Sequence, residues 1–458
     1  MINSTETVAA VSTPFGRGGI AVIRISGTDA VAVAEKVFFP GSGKTLGQTE
    51  SNRTVWGEIY SEGRVIDDGM ATVFRAPHSF TGENTVELSC HGGILLTQRV
   101  LQAVFAAGAA PAGPGEFSKR AFCNGKLSLS EAEAVIDLID AENDAQLRMA
   151  GSAARGRLTK AVEAIDARLR HAVSSTYAYI DFPDEDLEEL STEQLAREIA
   201  QAGRELDALL ESHRGARAIR QGVRCAIVGK PNTGKSSLLN ALSGGQHAIV
   251  TDVPGTTRDV IQQTVQAGRV ALCLSDTAGI RHTDDAVEKI GVSHSLEALA
   301  EAELVLAVFD GSRPWDGEDD AVLEHLEKAH SPVVYLVNKS DLPREAVLPE
   351  QIAAQALEIS AQTGAGKEQL VKRVERLFLD ASIDYDTAAV VSNARQYAAL
   401  ATAREHVLRA EEALGQGFTQ DIAGMDLELA LGALGQVDGR EVSEQIVDDI
   451  FHHFCVGK

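Results

Sequence analysis

Cysteine is scarce in this 458-residue sequence. Cys90, Cys123, Cys225, Cys273 and Cys455 are odd in number, widely spaced and without a C-x-x-C pair. This argues against a disulfide framework or a zinc site and for reduced thiols. Positive charge is short as well, with 42 Lys and Arg against 66 Asp and Glu and a net charge of -24. That balance excludes a broad basic face gripping nucleic acid, but leaves room for a local basic site or a partner that brings the positive surface. No run of about 18 apolar residues occurs, so no membrane span is expected. The opening "MINSTETVAAVSTP" lacks the basic and apolar regions of a signal peptide,. Gly457 and Lys458 do not suit a prenylation box, so the expected location is the cytoplasm,. The chain also has no internal repeat, no low-complexity tract and no G-x-G-x-x-G dinucleotide fingerprint.

The apolar fraction of 44% and charged fraction of 24% are ordinary for a globular protein, and the length suggests about three domains,. Residues 1–120 carry "GIAVIRISG" and "TVELSCHGG", which read as strands ending in glycine turns, and "LLTQRVLQAVFAAG", a helix closed by Gly108,. They form a small mixed α/β domain. From 121 to 218 long helical periodicities dominate, opening on capping-box spacings at Ser128–Glu131 and Ser130–Glu133,. Pro183 interrupts them, and Ser191–Gln194 opens another helix. From 219 to 380 short apolar strands alternate with helices: "RCAIVG", "QTVQAG", "RVALCLSD", "LVLAVFD", "PVVYLVN" and "ALEISA". Such runs suit a sheet covered on both faces. "QTVQ" and "RVALCL" read as a hairpin through Ala267 and Gly268, and "DGSRPWDGEDD" and "SDLPREAVLPEQ" as acidic surface loops. Residues 381–458 are helical again. The expected fold is multidomain α/β plus α: a small α/β domain, an all-helical bundle domain, and a Ras-like P-loop G domain inserted into the helical one.

"GKPNTGKSS" matches G-x-x-x-x-G-K-[ST] at Gly229, Gly234, Lys235 and Ser236, after one strand and before a helix,. The glycines let backbone N–H groups wrap phosphates, Lys235 reaches the β/γ-phosphates, and Ser236 is a ligand for Mg2+. Asp276, after "ALCLS", stands where a Mg2+-facing carboxylate is expected, and Gly279 lets backbone approach a γ-phosphate,. In "NKSD" the Asp341 carboxylate can accept from guanine N1–H and N2–H2, with Asn338 near N7 and the Lys339 stem along the ring. "SAQTGAG" from Ser360 and Ala361 supplies a donor to O6. Order and spacing together point to a GTPase. Many GTPases place a Gln after Asp-Thr-Ala-Gly to hold the attacking water. Here that residue is Ile280, which offers no side-chain hydrogen bond,.

"GRGGIAVIRISG", "SFTGENTVELSCHGG", "GPGEFSKRAFCNGKLSLSEAEAVIDLI", "AYIDFPDE", "IVTDVPGTTRDV", "DTAGIRHTDDAVEKIG" and the terminal "FCVGK" resemble the tRNA-modification GTPase family MnmE (TrmE) from end to end. The resemblance implies potassium in place of an arginine finger, held by Asn232, Thr251, Val253 and Thr256 when two G domains meet. Oxygen ligands suit such a cation, which offsets charge between the β- and γ-phosphates. It implies a second Mg2+ ligand at Thr257, a structural Arg258, and Glu288 orienting the water. With Thr233, Ser237, Asp252, Pro254, Gly255, Thr277 and Ala278, these complete the implied GTP site. It further implies a folate site for 5-formyl- or 5,10-methylene-tetrahydrofolate at Arg24, Glu87, Lys126 and Lys458. Without the family, Arg24 and Glu87 read as strand-surface charges, Cys90 and His91 as core and turn residues. For Cys455 a nucleophilic role and a buried structural thiol both stay open. The implied partners are a second copy through the N-terminal domains, the flavin-dependent subunit MnmG (GidA) in a heterotetramer, and tRNA, whose wobble uridine is modified at C5. FAD and NADH would belong to the partner. A second reading is a regulatory switch or ribosome-assembly GTPase whose N-terminal domain only binds protein. Folate binding lost with Lys458 separates the two. Lys230, Thr233, Pro254 and Val456 depart from the usual pattern without removing a functional group.

Overall fold

The computed structural model describes residues 6–181, 192–242, 263–274 and 301–457. It divides into two compact units, one of 1–140, 150–207 and 395–458, the other of 141–149 and 208–394. The N-terminal and helical stretches thus share the first unit, and residues 381–394 fall in the second.

The first unit holds strands β1 (Val8–Val11), β2 (Ile20–Ser26), β3 (Phe38–Pro40), β4 (Arg53–Ser61), β5 (Arg64–Phe74), β6 (Thr85–His91) and β7 (Ala110–Pro111). They form one sheet in the order β3-β4-β5-β6-β2-β1-β7, antiparallel except for β1 with β7. Alternation divides β2. Ile23 and Ile25 join the core with α1 (Ala30–Glu35) and α2 (Ile94–Ala106), while Arg24 and Ser26 point to the other face. The β4–β5 hairpin, absent from the sequence reading, turns at Glu62 and Gly63 with φ of 51° and 74°. Two positive φ values are what the type I′ two-residue hairpin turn requires.

Helices α3 (Glu116–Cys123), α4 (Leu129–Ile139), α6 (Arg157–Asp181), α12 (Ala394–Gly415), α13 (Gln420–Asp438) and α14 (Glu444–His452) complete this unit, apart from the first residue of α12. The Ser128–Glu131 capping box forms. The one expected at Ser130–Glu133 does not, because both residues are buried in helix packing. Ser130 Oγ donates to Val437 O at 2.7 Å, and Glu133 accepts from Arg395 at 2.8 Å. Pro183 and Ser191 lie outside the described residues. Helices α5 (Asp144–Ala154) and α7 (Thr192–Arg220) each have residues in both units.

In the second unit β8 (Val223–Val228), β9 (Gln263–Ala267), β10 (Val270–Leu274), β11 (Leu304–Asp310), β12 (Val333–Asn338) and β13 (Leu357–Glu358) pair in the order β13-β12-β11-β8-β10-β9. All pairs are parallel except the β9–β10 hairpin. Both faces are covered: Leu306 and Val308 pack on one side, Val305, Ala307 and Phe309 on the other. The hairpin turns at Gly268–Arg269, one residue later than expected, since Ala267 pairs with Val270. Helices α8 (Lys235–Leu242), α9 (Gly317–Leu326), α10 (Glu350–Ala353) and α11 (Lys367–Phe378) flank the sheet. The stretch read as a surface loop at 310–320 is a correction: Asp310 and Asp319 are buried, and α9 begins inside it on the Asp316 cap.

Candidate functional site

Between β8 and α8 the chain turns tightly through the phosphate-loop motif. A Cβ on Gly229 would lie 2.2 Å from Val308 O, and one on Gly234 2.1 Å from Asn338 Nδ2, so only glycine fits at either place,. Asn232 is exposed with φ 64°, a left-handed conformation that Asn tolerates,. Lys235 Nζ donates to Gly229 O and Lys230 O, both at 2.7 Å, and burial lowers the affinity of this amine for its proton,. Thr233 Oγ1 donates to the same Lys230 carbonyl at 3.0 Å. Ser236 and Ser237 are exposed in the first turn of α8. Orphan N–H groups, a helix N-terminus and an ammonium together make an anion site.

Two further loops join it. Asn338, 2% exposed at the end of β12, donates from Nδ2 to Thr233 O at 2.8 Å and accepts from Ala361 N at 2.9 Å. The Asn338 amide thus clamps the phosphate loop to the segment after β13 through Ala361 N. Asp341 is exposed, with Oδ1 accepting from Ser360 Oγ at 2.5 Å. Lys339, at φ 67°, donates to Asp310 Oδ2 at 2.6 Å. Burial opposes the charge on Asp310, but hydrogen bonds from Lys339 and Ser312 outweigh it and hold the carboxyl below the usual range,. Asp310, and the carboxylates of Asp316 and Asp319 that meet Lys230, escaped the sequence reading. The Asp-x-x-Asp spacing of a helix cap was the available signal,.

Thr251, Asp252, Val253, Pro254, Gly255, Thr256, Thr257, Arg258, Asp276, Thr277, Ala278, Gly279, Ile280, Glu288 and Lys458 lie outside the described residues. Of the expected potassium ligands only Asn232 is described, and of the magnesium ligands only Ser236. Both are exposed and carry a side-chain oxygen, the ligand type a hard cation takes,.

On the first unit, Arg24 and Glu87 face each other across β2 and β6, with Arg24 Nη2 2.8 Å and Nε 2.9 Å from the same Glu87 Oε1. The guanidinium stands 5.3 Å from the Phe80 ring centre and 5.4 Å from that of Phe117. Beside them Arg120 is buried, with bonds to Glu83 and Glu116, and Ser26 Oγ donates to Glu83 at 2.8 Å. Lys126 Nζ donates to Pro77 O at 3.1 Å, on the segment that carries Phe80. The C-terminal tail returns to the same sheet: Ser12 Oγ donates to Gly457 O, and Gly115 N to Cys455 O. In register, Ala10 lies opposite Arg24 and the tail meets the next residues, Val11 and Ser12. Cys455 is exposed, which overturns the buried-thiol alternative. Burial pushes the Cys90 thiol up to about 11, so it is a poor thiolate,. His91 is exposed, and its Nδ1 sits 2.8 Å from Asp67 Oδ1.

A glycine-bounded phosphate loop with an inward ammonium, at the carboxyl edge of a mostly parallel sheet, defines a P-loop nucleotide-binding protein. The family model for the MnmE helical domain matches residues 129–455, and the one for the GTP-binding protein TrmE N-terminus matches 7–126. The chain is 41% identical over 457 residues to the tRNA modification GTPase MnmE of Geobacter sulfurreducens, covering 99% of each chain. It is 43% identical over 460 residues to that of Symbiobacterium thermophilum, again covering 99% of each. With the Lactococcus lactis relative it shares 40% over 454 residues, 99% of this chain and 98% of the other. The chain belongs to the MnmE (TrmE) family.

Proposed function

We propose that this protein is a GTPase of tRNA modification, activated by potassium. The observation that carries the guanine-nucleotide reading is the Asn338 clamp. It holds the phosphate loop beside the Ser360 segment, whose hydroxyl orients the Asp341 carboxylate. A carboxylate so held accepts from N1–H and N2–H2 of guanine, a donor pair that adenine lacks. Lys235 contacts the β/γ-phosphates, Ser236 and Thr257 hold Mg2+, and Asn232, Thr251, Val253 and Thr256 hold K+ where two G domains meet. A monovalent cation there supplies charge compensation between the β- and γ-phosphates. Glu288 orients the attacking water rather than removing its proton outright. Ile280 then needs no polar role.

The Arg24–Glu87 pair, with Phe80, Phe117, Lys126 and Lys458, forms the pocket for a reduced one-carbon folate. Its donor set suits a pterin: a carboxylate for N3–H and the 2-amino group, cations for anionic oxygens, aromatic rings for the apolar faces,. The N-terminal domains pair two copies. The flavin-dependent subunit MnmG completes the modification at C5 of the tRNA wobble uridine, in the cytoplasm. The domain division that goes with this reading is 1–120, 121–218, 219–380 and 381–458.

The test is GTP turnover of the full chain in KCl and in NaCl, alongside an E288A variant. Faster turnover in KCl, and an E288A protein that binds GTP but scarcely turns over, are expected. Equal rates in both salts would remove potassium from the reading. Wobble-nucleoside mass spectrometry on cells lacking the protein tests the tRNA role, where an unchanged nucleoside profile would refute it.

A further inference from the structure

Lys230, the second residue of the phosphate loop, is unusual for a lysine because its side chain is only 5% exposed,. Nζ lies 2.5 Å from Asp316 Oδ1 and 2.8 Å from Asp319 Oδ2, with Glu318 Oε2 at 4.0 Å. Asp319 is as deeply buried as the lysine, and Asp316 caps α9. A buried ion pair is weak evidence for stability as such; its better-attested use is to fix one arrangement among several. What it fixes here is visible in the backbone. The Lys230 carbonyl accepts from both Lys235 Nζ and Thr233 Oγ1. The Lys235 ammonium has three N–H donors, so with two on the Gly229 and Lys230 carbonyls the third is left for a phosphate,. A loop held from outside through Lys230 therefore fixes where that third donor sits.

We propose that Lys230 is a positioning residue for the β-phosphate: anchored on Asp316 and Asp319 at the start of α9, it holds the carbonyl on which the Lys235 ammonium rests and so fixes where that ammonium meets the nucleotide. The inference rests on the guanine-nucleotide reading of the same loop. It assigns α9 a role in binding that acts through the phosphate loop.

The test measures GDP and GMP affinity by competition calorimetry on the full chain. The variants are K230R, D319N and the charge-neutral K230M/D316N/D319N, which leaves no buried carboxylate unpaired. The neutral variant is expected to bind GDP about tenfold or more weakly, in the range of couplings carried by packed networks. GMP, which lacks the β-phosphate, should stay within about twofold. K230R should bind GDP as the natural chain does. A neutral variant with natural GDP affinity, or equal losses for GDP and GMP, would overturn the proposal, the second outcome marking a general structural defect. Should the neutral variant not fold, D319N decides, with severalfold weaker GDP binding expected and unchanged binding overturning the anchor. A natural chain that binds no GDP at all would instead overturn the nucleotide reading, and the anchor with it.

Discussion

The Asn338 clamp can be probed without changing its shape. The substitution N338D replaces the amide by an isosteric carboxyl at a position 2% exposed. The bond from Ala361 N, at 2.9 Å, survives, because either group accepts there. The other bond does not: a carboxylate oxygen replaces Nδ2, which donates to Thr233 O at 2.8 Å. Losing one neutral hydrogen bond costs about 1 kcal/mol, and a buried carbonyl left without a donor about 1–3 more. If the total of about 2–4 kcal/mol falls on nucleotide binding, GDP affinity drops roughly 30- to 900-fold.

The charge adds a direction with pH. Protonated, the introduced carboxyl can donate to Thr233 O as the amide does, so its folded pKa lies above the unfolded value of about 3.9. The penalty is therefore absent below that value, grows as pH rises, and levels off above the folded value. GDP titrations and thermal melts of N338D beside the natural chain, from pH 5.5 to 8, should show a defect that shrinks toward the acid end. An N338D protein that melts and binds like the natural chain would refute the clamp. A full defect with no pH dependence would refute the Thr233 half of it.

Three further outcomes follow from named contacts. D341N exchanges an acceptor for an amide that can donate to the O2 of xanthine. GDP affinity should fall about a hundredfold or more while XDP affinity rises, as seen in competition binding. G457A puts a Cβ 2.1 Å from Val11 O at a residue with φ 99°. Displacing the tail should weaken 5-formyltetrahydrofolate binding about tenfold or more and leave GDP binding unchanged, by calorimetry with each ligand. Asp310, held below the usual carboxylate range, contributes stability that is complete above about pH 4 and lost as pH falls through its lower folded value,. D310N should flatten that acid limb in the urea midpoint, and an unchanged limb would show that the Lys339 bond carries no linkage.

The residues of the nucleotide motifs were legible because the chemistry of such motifs dictates type and spacing. Gly229, Gly234, Lys235, Asn338 and Asp341 could all be placed from the chain alone. Their internal partners were not. Asn338 meets a carbonyl 105 residues away, and Lys230 meets carboxylates 86 and 89 residues on. Such pairings come from strand order, which no local pattern encodes. The acidic run at 310–320 misled for a related reason: hydrophilicity suggested solvent, whereas Asp310 and Asp319 are buried because Lys339 and Lys230 neutralise them. The β4–β5 hairpin was missed although Glu62–Gly63 offered a turn signal. In the first unit, the Arg24–Glu87 pair follows from the antiparallel register of β2 and β6, which depends on which strands become neighbours.

The sheet order also accounts for the kind of ligand the second unit suits. β8, β11 and β12 are consecutive parallel neighbours, so their carboxyl ends open on one edge. Strands about 4.8 Å apart put the loops after them within about 10 Å. The phosphate loop leaves β8, Asp310 ends β11, and Asn338 ends β12 with Asp341 just beyond it. A phosphate alone would need only the first of these. The clamp from Asn338 to Thr233 and Ala361 ties the phosphate cradle to the place where Ser360 turns the Asp341 carboxylate, which would be idle without a base to read. Changing the tie should therefore change phosphate and base recognition together, whereas the K230M/D316N/D319N variant and Asp341→Asn should separate them.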